Sequence, residues 1–284
     1  MSGSGFRARL AEVKSPLGFG VSGPLATALV SPEATRQLVL QAFADGVRVF
    51  DTGPSYGAGE AERRLGAAFQ TLPRAQCLVI TKIGTIAGPM GRLRKDFSRE
   101  GMARSLRGSL SRLRMAQIDL LLAHGPSVKD LPGFVDFAQE ARGAGLIGAF
   151  GVCGRGPEVE AALTLPGIEA ILAPIHAGDA TRAEHLYAAT RGTPVVLLGF
   201  EALRAGPRPP RSILRPADWF YLARAAHRRM NHAASPELSV PPALTSAEAL
   251  RFAAARSDCV IMTTTSAHRL RANILALRQP ISVA

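Results

Sequence analysis

Residues 118–124 read IDLLLAH, a run that is apolar almost throughout and stops at His124 before a Gly-Pro break. A strand with one wet face alternates apolar and polar residues, whereas a short continuous run belongs to a strand covered on both faces, as in a parallel sheet. The pattern recurs as PLGFGV (16–21), VRVFDT (47–52), CLVITK (77–82), IGAFGV (147–152), AILAPI (170–175), PVVLLGF (194–200) and CVIMTT (259–264).

Amphipathic segments with helix signals lie between these runs. SPEATRQLVLQAFADG places Ser31 as N-cap, Pro32 at the first helical position and Gly46 as the stop. TSAEALRFAAARSD offers Thr245 as cap with Glu248 completing a capping box. Eight strand–helix units predict an α/β fold, a closed (β/α)8 TIM barrel occupying 1–284 as a single domain. The alternative is a doubly wound open sheet, but no GxGxxG follows the first strand as a dinucleotide-binding open sheet usually shows. FRARLAEVKS, before Pro16, reads as a small N-terminal hairpin closing the barrel floor. Residues 201–244, with the cluster GPRPPRSILRP and the amphipathic stretch ADWFYLARAAHRRMN, read as a long seventh βα loop over the mouth. Connections longer than ~12–15 residues are uncommon in compact domains unless they serve function.

Composition excludes several classes. At 284 residues, 47% apolar and 20% charged, the chain has ample material for a core and does not resemble a disordered one. The formal charge of +12 raises the question of nucleic acid. Lysine, however, occurs only at 14, 82, 95 and 129, and the other 30 of the 34 basic residues are arginines scattered over the chain. The densest runs, RLRK (92–95) and RSLRGSLSRLR (104–114), carry Leu at helical spacing and read as solvated helix faces over a core face, so no nucleic-acid partner is expected. Cysteines 77, 153 and 259 are odd in number and lack CxxC spacing, which argues against a disulfide framework or a metal site and for a reducing compartment. The N-terminus has no apolar signal core, and no run approaches the ~20 residues of a spanning helix, so the expectation is a cytoplasmic protein without a membrane partner. No oligomeric state is read from the chain.

In a (β/α)8 barrel, polar residues at the carboxyl ends of strands point into the catalytic mouth. Taken in order, these ends supply Asp51 with Tyr56 in the loop after it, then Lys82, then His124. Each alone has a structural reading: Asp51 as a cap, Tyr56 as a loop aromatic, His124 as a satisfied buried histidine. Lys82 is harder to dismiss, because a chain that writes arginine nearly everywhere has placed a compact ammonium at a strand end. The chemistry that needs this set is proton donation to a carbonyl oxygen. A phenol of pKa ≈ 10 is a sluggish acid at neutral pH, a neighbouring cation lowers that value, a carboxylate holds the cation, and a histidine beside the phenol can orient the substrate oxygen or share in the proton relay.

FDTGPSYG followed by GEAERRLG, then VITK, then IDLLLAH, resembles the aldo-keto reductase superfamily, whose Asp, Tyr, Lys and His pattern these positions match one for one. The resemblance runs from about Pro16 to Asn273 and weakens in the second half. It implies a (β/α)8 barrel and hydride transfer between a nicotinamide cofactor and a small-molecule carbonyl or alcohol. Tyr56 would be the general acid in reduction, Lys82 its pKa tuner, Asp51 the partner of Lys82, and His124 the substrate-orienting residue. MTTTSAHRLRAN resembles the family's phosphate-binding strand–loop–helix, with Thr263, Thr264, Thr265 and Ser266 supplying hydroxyls and Arg269 and Asn273 on matching positions. Thr263 stands where many members carry a basic residue, so the preference for NADP(H) over NAD(H) rests on Arg269. Phe200 matches the aromatic ring that stacks on the nicotinamide; its structural reading is a core phenylalanine.

This chain departs from the pattern where the family holds the carboxamide. The expected Ser-Asn pair appears as Cys153 and Gly154, and the expected glutamine as Leu172. Either backbone, water or neighbours such as Arg155 and His176 replace them, or cofactor binding is weak. The leading expectation is an oxidoreductase; the alternative is a divergent barrel acting as cofactor sensor, partner-binding subunit or non-redox enzyme.

Overall fold

The computed structural model describes residues 5–88, 92–204, 212–230 and 244–278. Its strands are β1 (Leu17–Gly20), β2 (Val49–Asp51), β3 (Leu78–Ile83), β4 (Thr85–Ala87), β5 (Leu93–Lys95), β6 (Ile118–His124), β7 (Ile147–Cys153), β8 (Ala170–Pro174), β9 (Val196–Phe200) and β10 (Cys259–Met262). All but β4 and β5 close into an eight-stranded parallel barrel in the order β1-β2-β3-β6-β7-β8-β9-β10, with β10 returning to β1. The helices are α1 (Phe6–Val13), α2 (Pro32–Ala44), α3 (Glu60–Ala68), α4 (Arg99–Leu113), α5 (Leu131–Gly143), α6 (Pro157–Ala162), α7 (Ala180–Thr190), α8 (Pro216–Met230), α9 (Ser246–Ala254) and α10 (Ala267–Arg278). The (β/α)8 barrel read from the apolar runs is the observed fold. Ser31 caps α2 by accepting from the Ala34 amide, and Thr245 and Glu248 form the reciprocal capping box of α9.

Strand residues point alternately to two cores. Val49, Leu78, Ile80, Leu120, Leu122, Ala149, Val196 and Leu198 fill the lumen, while Phe50, Val79, Leu121, Phe150 and Leu197 pack outward against the helices. The lumen parity continues upward through Asp51, Lys82, His124, Cys153, Leu172 and Phe200, so one periodicity builds the core below and aims these side chains into the mouth above.

Two local expectations are corrected. FRARLAEVKS is not a hairpin: residues 6–13 form α1, because Phe6, Leu10 and Val13 recur at helical rather than strand spacing. The segment does close the floor. Phe6 and Leu10 pack into the lumen core, Arg7 pairs with Asp258 at 2.8 Å, Arg9 pairs with the buried Asp119, and the Phe6 amide donates to Glu169 at 2.8 Å. Likewise RLRK is not part of a helix. Leu93–Lys95 is β5, an exposed strand paired antiparallel with β4 in a hairpin that rises from the end of β3. Propensity at three residues could not outweigh cross-strand pairing.

Within 201–244, ADWFYLARAAHRRM forms α8, which packs on the turn Gly23–Ala26 after β1. The greater part of the Pro cluster (205–211) and the segment 231–243 lie outside the described residues. Among the described residues no helix is long and apolar enough to cross a membrane.

Candidate active site

Asp51 ends β2 and Lys82 lies one residue from the end of β3; their strands are adjacent, with Asp51 paired to Ile80. Lys82 Nζ donates to Asp51 Oδ1 at 2.5 Å and to the Thr52 carbonyl at 2.8 Å, and its side chain is 1% exposed. Burial pushes the Asp51 carboxyl upward, against the charge and hydrogen bond of Lys82. The same burial opposes the ammonium, yet Asp51 and then Tyr56 and Cys153 hold the Lys82 pKa above the ordinary lysine range. Lysine is the stronger base by ~6 units in water, so the pair is an ammonium and a carboxylate.

Tyr56 opens a short 3-10 turn, Tyr56–Gly59, in the loop after β2. The turn needs Gly57: its φ is +58°, and a Cβ there would lie 2.0 Å from the Ala26 carbonyl oxygen. Locked in this way, the Tyr56 ring sits with Lys82 Nζ 5.1 Å from its centroid and the His124 ring edge-on at 5.9 Å. The phenol does not have a lowered pKa. Burial pushes it up to about 12, and the Lys82 charge offsets only part of that rise. Lys82 acts in the expected direction, lowering the phenol pKa, but desolvation of a phenolate outweighs it and leaves the net value above the ordinary one.

His124 ends β6, and its carbonyl accepts from Thr85 Oγ1 at 2.6 Å and from Lys95 Nζ at 2.7 Å. Its buried Nδ1 has no hydrogen-bond partner among the described residues. Burial first, then the charges of Lys82, Lys95 and Arg155, lower its pKa to about 3, so the ring is neutral. Cys153 lies beside it in register. Burial raises this thiol to about 11, which leaves it a small apolar wall residue rather than a nucleophile. All three cysteines are free and buried.

On the opposite side of the mouth stand the ends of β7, β8 and β9. Leu172 is buried in the lumen, and the Gly154 amide donates to its carbonyl at 3.1 Å. Phe200 is partly buried at the lumen top, and the Arg155 guanidinium lies over its ring at 4.7 Å. Arg155 is itself paired in a two-point contact with Glu201, both bonds at 2.8 Å. His176, 3% exposed, has an Nδ1 without a partner among the described residues.

The loop between β10 and α10 forms the third part. Thr263 Oγ1 is committed to the Gly20 carbonyl at 2.8 Å and contacts Ser22 at 3.1 Å, so it ties β10 to β1 instead of facing a ligand freely. Thr264 is buried and accepts from the Ser266 amide; Ser266 accepts from the Arg269 amide at the start of α10. Thr265 and Arg269 are half-buried and Asn273 is buried. A 12-residue helix beginning behind such a loop presents backbone N–H groups and positive dipole to an anion.

The sequence reading missed Lys95 and Glu201. Lys95 was marked by the same scarcity of lysine that singled out Lys82. Glu201 had only its place after Phe200 as a signal, because its partner is 46 positions away.

A parallel eight-stranded barrel with a buried lysine–aspartate pair under a tyrosine and a histidine defines a barrel with acid–base groups at its carboxyl-end mouth. Comparison with known proteins names the class: the aldo/keto reductase family profile matches residues 16–173, and the chain belongs to that family. It is 35% identical over 174 residues to a D-threo-aldose 1-dehydrogenase of a Pseudomonas species, covering 52% of this chain. It is also 35% identical over 114 residues to an L-galactose dehydrogenase of Arabidopsis thaliana, covering 39% of this chain. The chain spans about half the length of the first relative, 51%, and 34% of the second. Among solved structures, an aldo-keto reductase from Bacillus halodurans in its holo form superposes with a TM-score of 0.72 at 19% identity, covering 93% of this chain and 87% of that one. An aldo-keto reductase from Klebsiella pneumoniae in complex with NADPH gives 0.67 at 18% identity, covering 94% and 87%. At these identities the structural likeness speaks for the fold.

Proposed function

We propose that the protein is an NADP(H)-dependent oxidoreductase that reduces an aldehyde or ketone, or oxidises the corresponding alcohol or sugar, with Tyr56 as general acid/base. The observation that carries this reading is the phenol of Tyr56 set between a buried, carboxylate-held ammonium and a neutral imidazole. Two buried imidazole nitrogens without partners, His124 Nδ1 and His176 Nδ1, and the anion-ready start of α10 fit a dinucleotide and a carbonyl in this mouth.

The bound dinucleotide would supply the hydride. Phe200 would stack on its ring, Thr264, Thr265 and the first amides of α10 would take phosphate, and Arg269 and Asn273 would meet the adenosine end. With its pKa at about 12, Tyr56 keeps its proton throughout the neutral range and is ready to donate it to a carbonyl oxygen. Lys82 then faces the phenolate left behind, and Asp51 keeps Lys82 charged for that purpose. His124 is neutral, so it can offer a hydrogen bond to the same oxygen without competing as an acid.

The names of the curated relatives support a sugar or hydroxy-carbonyl substrate. Arg269, together with the NADPH bound to the Klebsiella protein, favours NADP(H). A relative from Escherichia coli, named an NADH-specific methylglyoxal reductase, argues the other way, and side-by-side titration decides between them. The reading takes the barrel as one domain working in the cytoplasm.

The test is fluorescence titration with NADPH and NADH, followed by a panel of aldehydes, ketones and sugars. Saturable NADPH binding, and turnover that Tyr56→Phe abolishes, is the expected result. No binding of either cofactor, or equal turnover by wild type and Tyr56→Phe, overturns it. Tight binding without turnover on any member of the panel favours a cofactor sensor, the second reading, motivated by the loss of polar side chains at Cys153, Gly154 and Leu172.

A further inference from the structure

The pair Arg155–Glu201 is difficult to explain as a stabilising contact. Arg155 is 52% exposed, and an ion pair in that setting contributes ~0–1 kcal/mol. Yet Glu201 adopts a left-handed backbone with φ of +59°, a conformation that costs a non-glycine residue ~1–2 kcal/mol. The arrangement is also built up from several sides. Glu158 Oε1 accepts from the Arg155 and Gly156 amides at 2.7 and 3.0 Å, Arg204 adds a second cation to Glu201 at 3.2 Å, and the guanidinium stacks on Phe200. His176, in the same neighbourhood, is buried with an unpartnered Nδ1.

Resting on the proposed function, we propose that Arg155, Glu201 and His176 form the group that recognises the nicotinamide carboxamide in this chain, in place of the side chains lost at Cys153, Gly154 and Leu172. A carboxamide offers one carbonyl acceptor and one NH2 donor, and leaving either unpaired in a buried site is costly. The two-point bond to Glu201 uses one N–H from each terminal nitrogen of Arg155, and the remaining N–H groups are donors for the carbonyl. Glu201 Oε2 accepts from both Arg155 and Arg204, whereas Oε1 accepts from Arg155 alone and keeps a lone pair for the NH2 group. Phe200 carries the ring, and His176 Nδ1 supplies the third polar contact. The strained backbone at Glu201 is then explained by the direction in which its carboxylate must face.

The test is isothermal titration calorimetry of the wild type with NADP+ and with its 3-acetylpyridine analogue, in which a methyl group replaces the NH2 while the carbonyl stays. The wild type should bind NADP+ about tenfold or more tightly than the analogue, the loss expected when a hydrogen bond to a charged acceptor disappears. In Glu201→Ala the ratio should fall close to one, while Arg155→Met should weaken both ligands, with circular dichroism confirming that each variant folds. A wild-type ratio near one, or an unchanged ratio in Glu201→Ala, overturns the inference and leaves the oxidoreductase reading standing. Failure of the wild type to bind NADP+, NADPH or NADH at all removes both.

Discussion

The two sides of the mouth solve the problem of polar groups at strand ends in opposite ways. On the β2–β3–β6 side, Asp51 and Lys82 are almost completely buried, 2.5 Å apart, and sealed under Tyr56 and His124. On the β7–β8–β9 side, apolar Cys153 and Leu172 line the lumen, and charge is carried at the rim by Arg155 and Glu201. A buried pair is committed, since removing one partner strands the other in low dielectric. A rim pair is exchangeable, because water competes for both charges. The first arrangement suits groups that must hold one geometry and one protonation state. The second suits recognition of a ligand that comes and goes.

The largest effect that could break this contrast is on activity. Tyr56→Phe keeps the ring packed on Lys82 and His124 but removes the proton, so kcat/KM for carbonyl reduction should drop by about 10²–10⁴ with little change in urea midpoint. An unchanged kcat/KM would remove the phenol from the chemistry. Next comes Lys82→Met, which leaves Asp51 buried without its cation. Equilibrium unfolding should show a loss of about 3–5 kcal/mol at neutral pH, and a loss under ~1 kcal/mol would mean that the pair is as exchangeable as the rim pair.

A pH experiment sharpens the same point. The folded pKa of His124 is about 3, lowered first by burial, against 6.5 for the free side chain. Its neutral form therefore supports the fold fully above about pH 6.5, and that support is lost as pH falls toward 3, where the unfolded chain takes up a proton that the folded chain refuses. Wild type should lose stability on acidification more steeply than His124→Gln, by at most about 1.4 kcal/mol per pH unit, read from urea midpoints between pH 7.5 and 4.5. Parallel curves would show that the ring is not held neutral. The smallest effect is expected at the rim: Arg155→Met should shift stability by less than about 1 kcal/mol. A larger loss would make that pair structural and erase the difference between the two sides.

Much of the first side was legible in the chain. Strand-end position and a scarce lysine were enough to assemble Asp51, Tyr56, Lys82 and His124, because adjacent parallel strands in register bring consecutive carboxyl ends together. The second side was legible mostly as absences. Cys153, Gly154 and Leu172 showed that something was missing, and Arg155 and His176 stood only as neighbours. Nothing local in the sequence tied Arg155 to a glutamate two strands away. The floor is intermediate: its closing segment was found, but a hairpin was expected where the spacing of Phe6 and Leu10 makes a helix.

The alternation of short continuous apolar runs with capped amphipathic segments determined a parallel sheet covered on both faces, and eight such units with no GxGxxG after the first favoured the closed barrel over an open sheet. It also determined which side chains face the mouth, because strand parity is a property of the chain. Protonation was decided only by the tertiary structure. A lysine next to a tyrosine lowers the phenol's pKa when both are wet, but here burial removes more solvation than Lys82 restores, and the phenol rises to about 12. The same holds for the rim. Whether an arginine after a strand is a solvated charge or one arm of an ion pair depends on what the other strand ends around the mouth present to it. For Arg155 that is Glu201, held by a backbone conformation that local sequence does not announce.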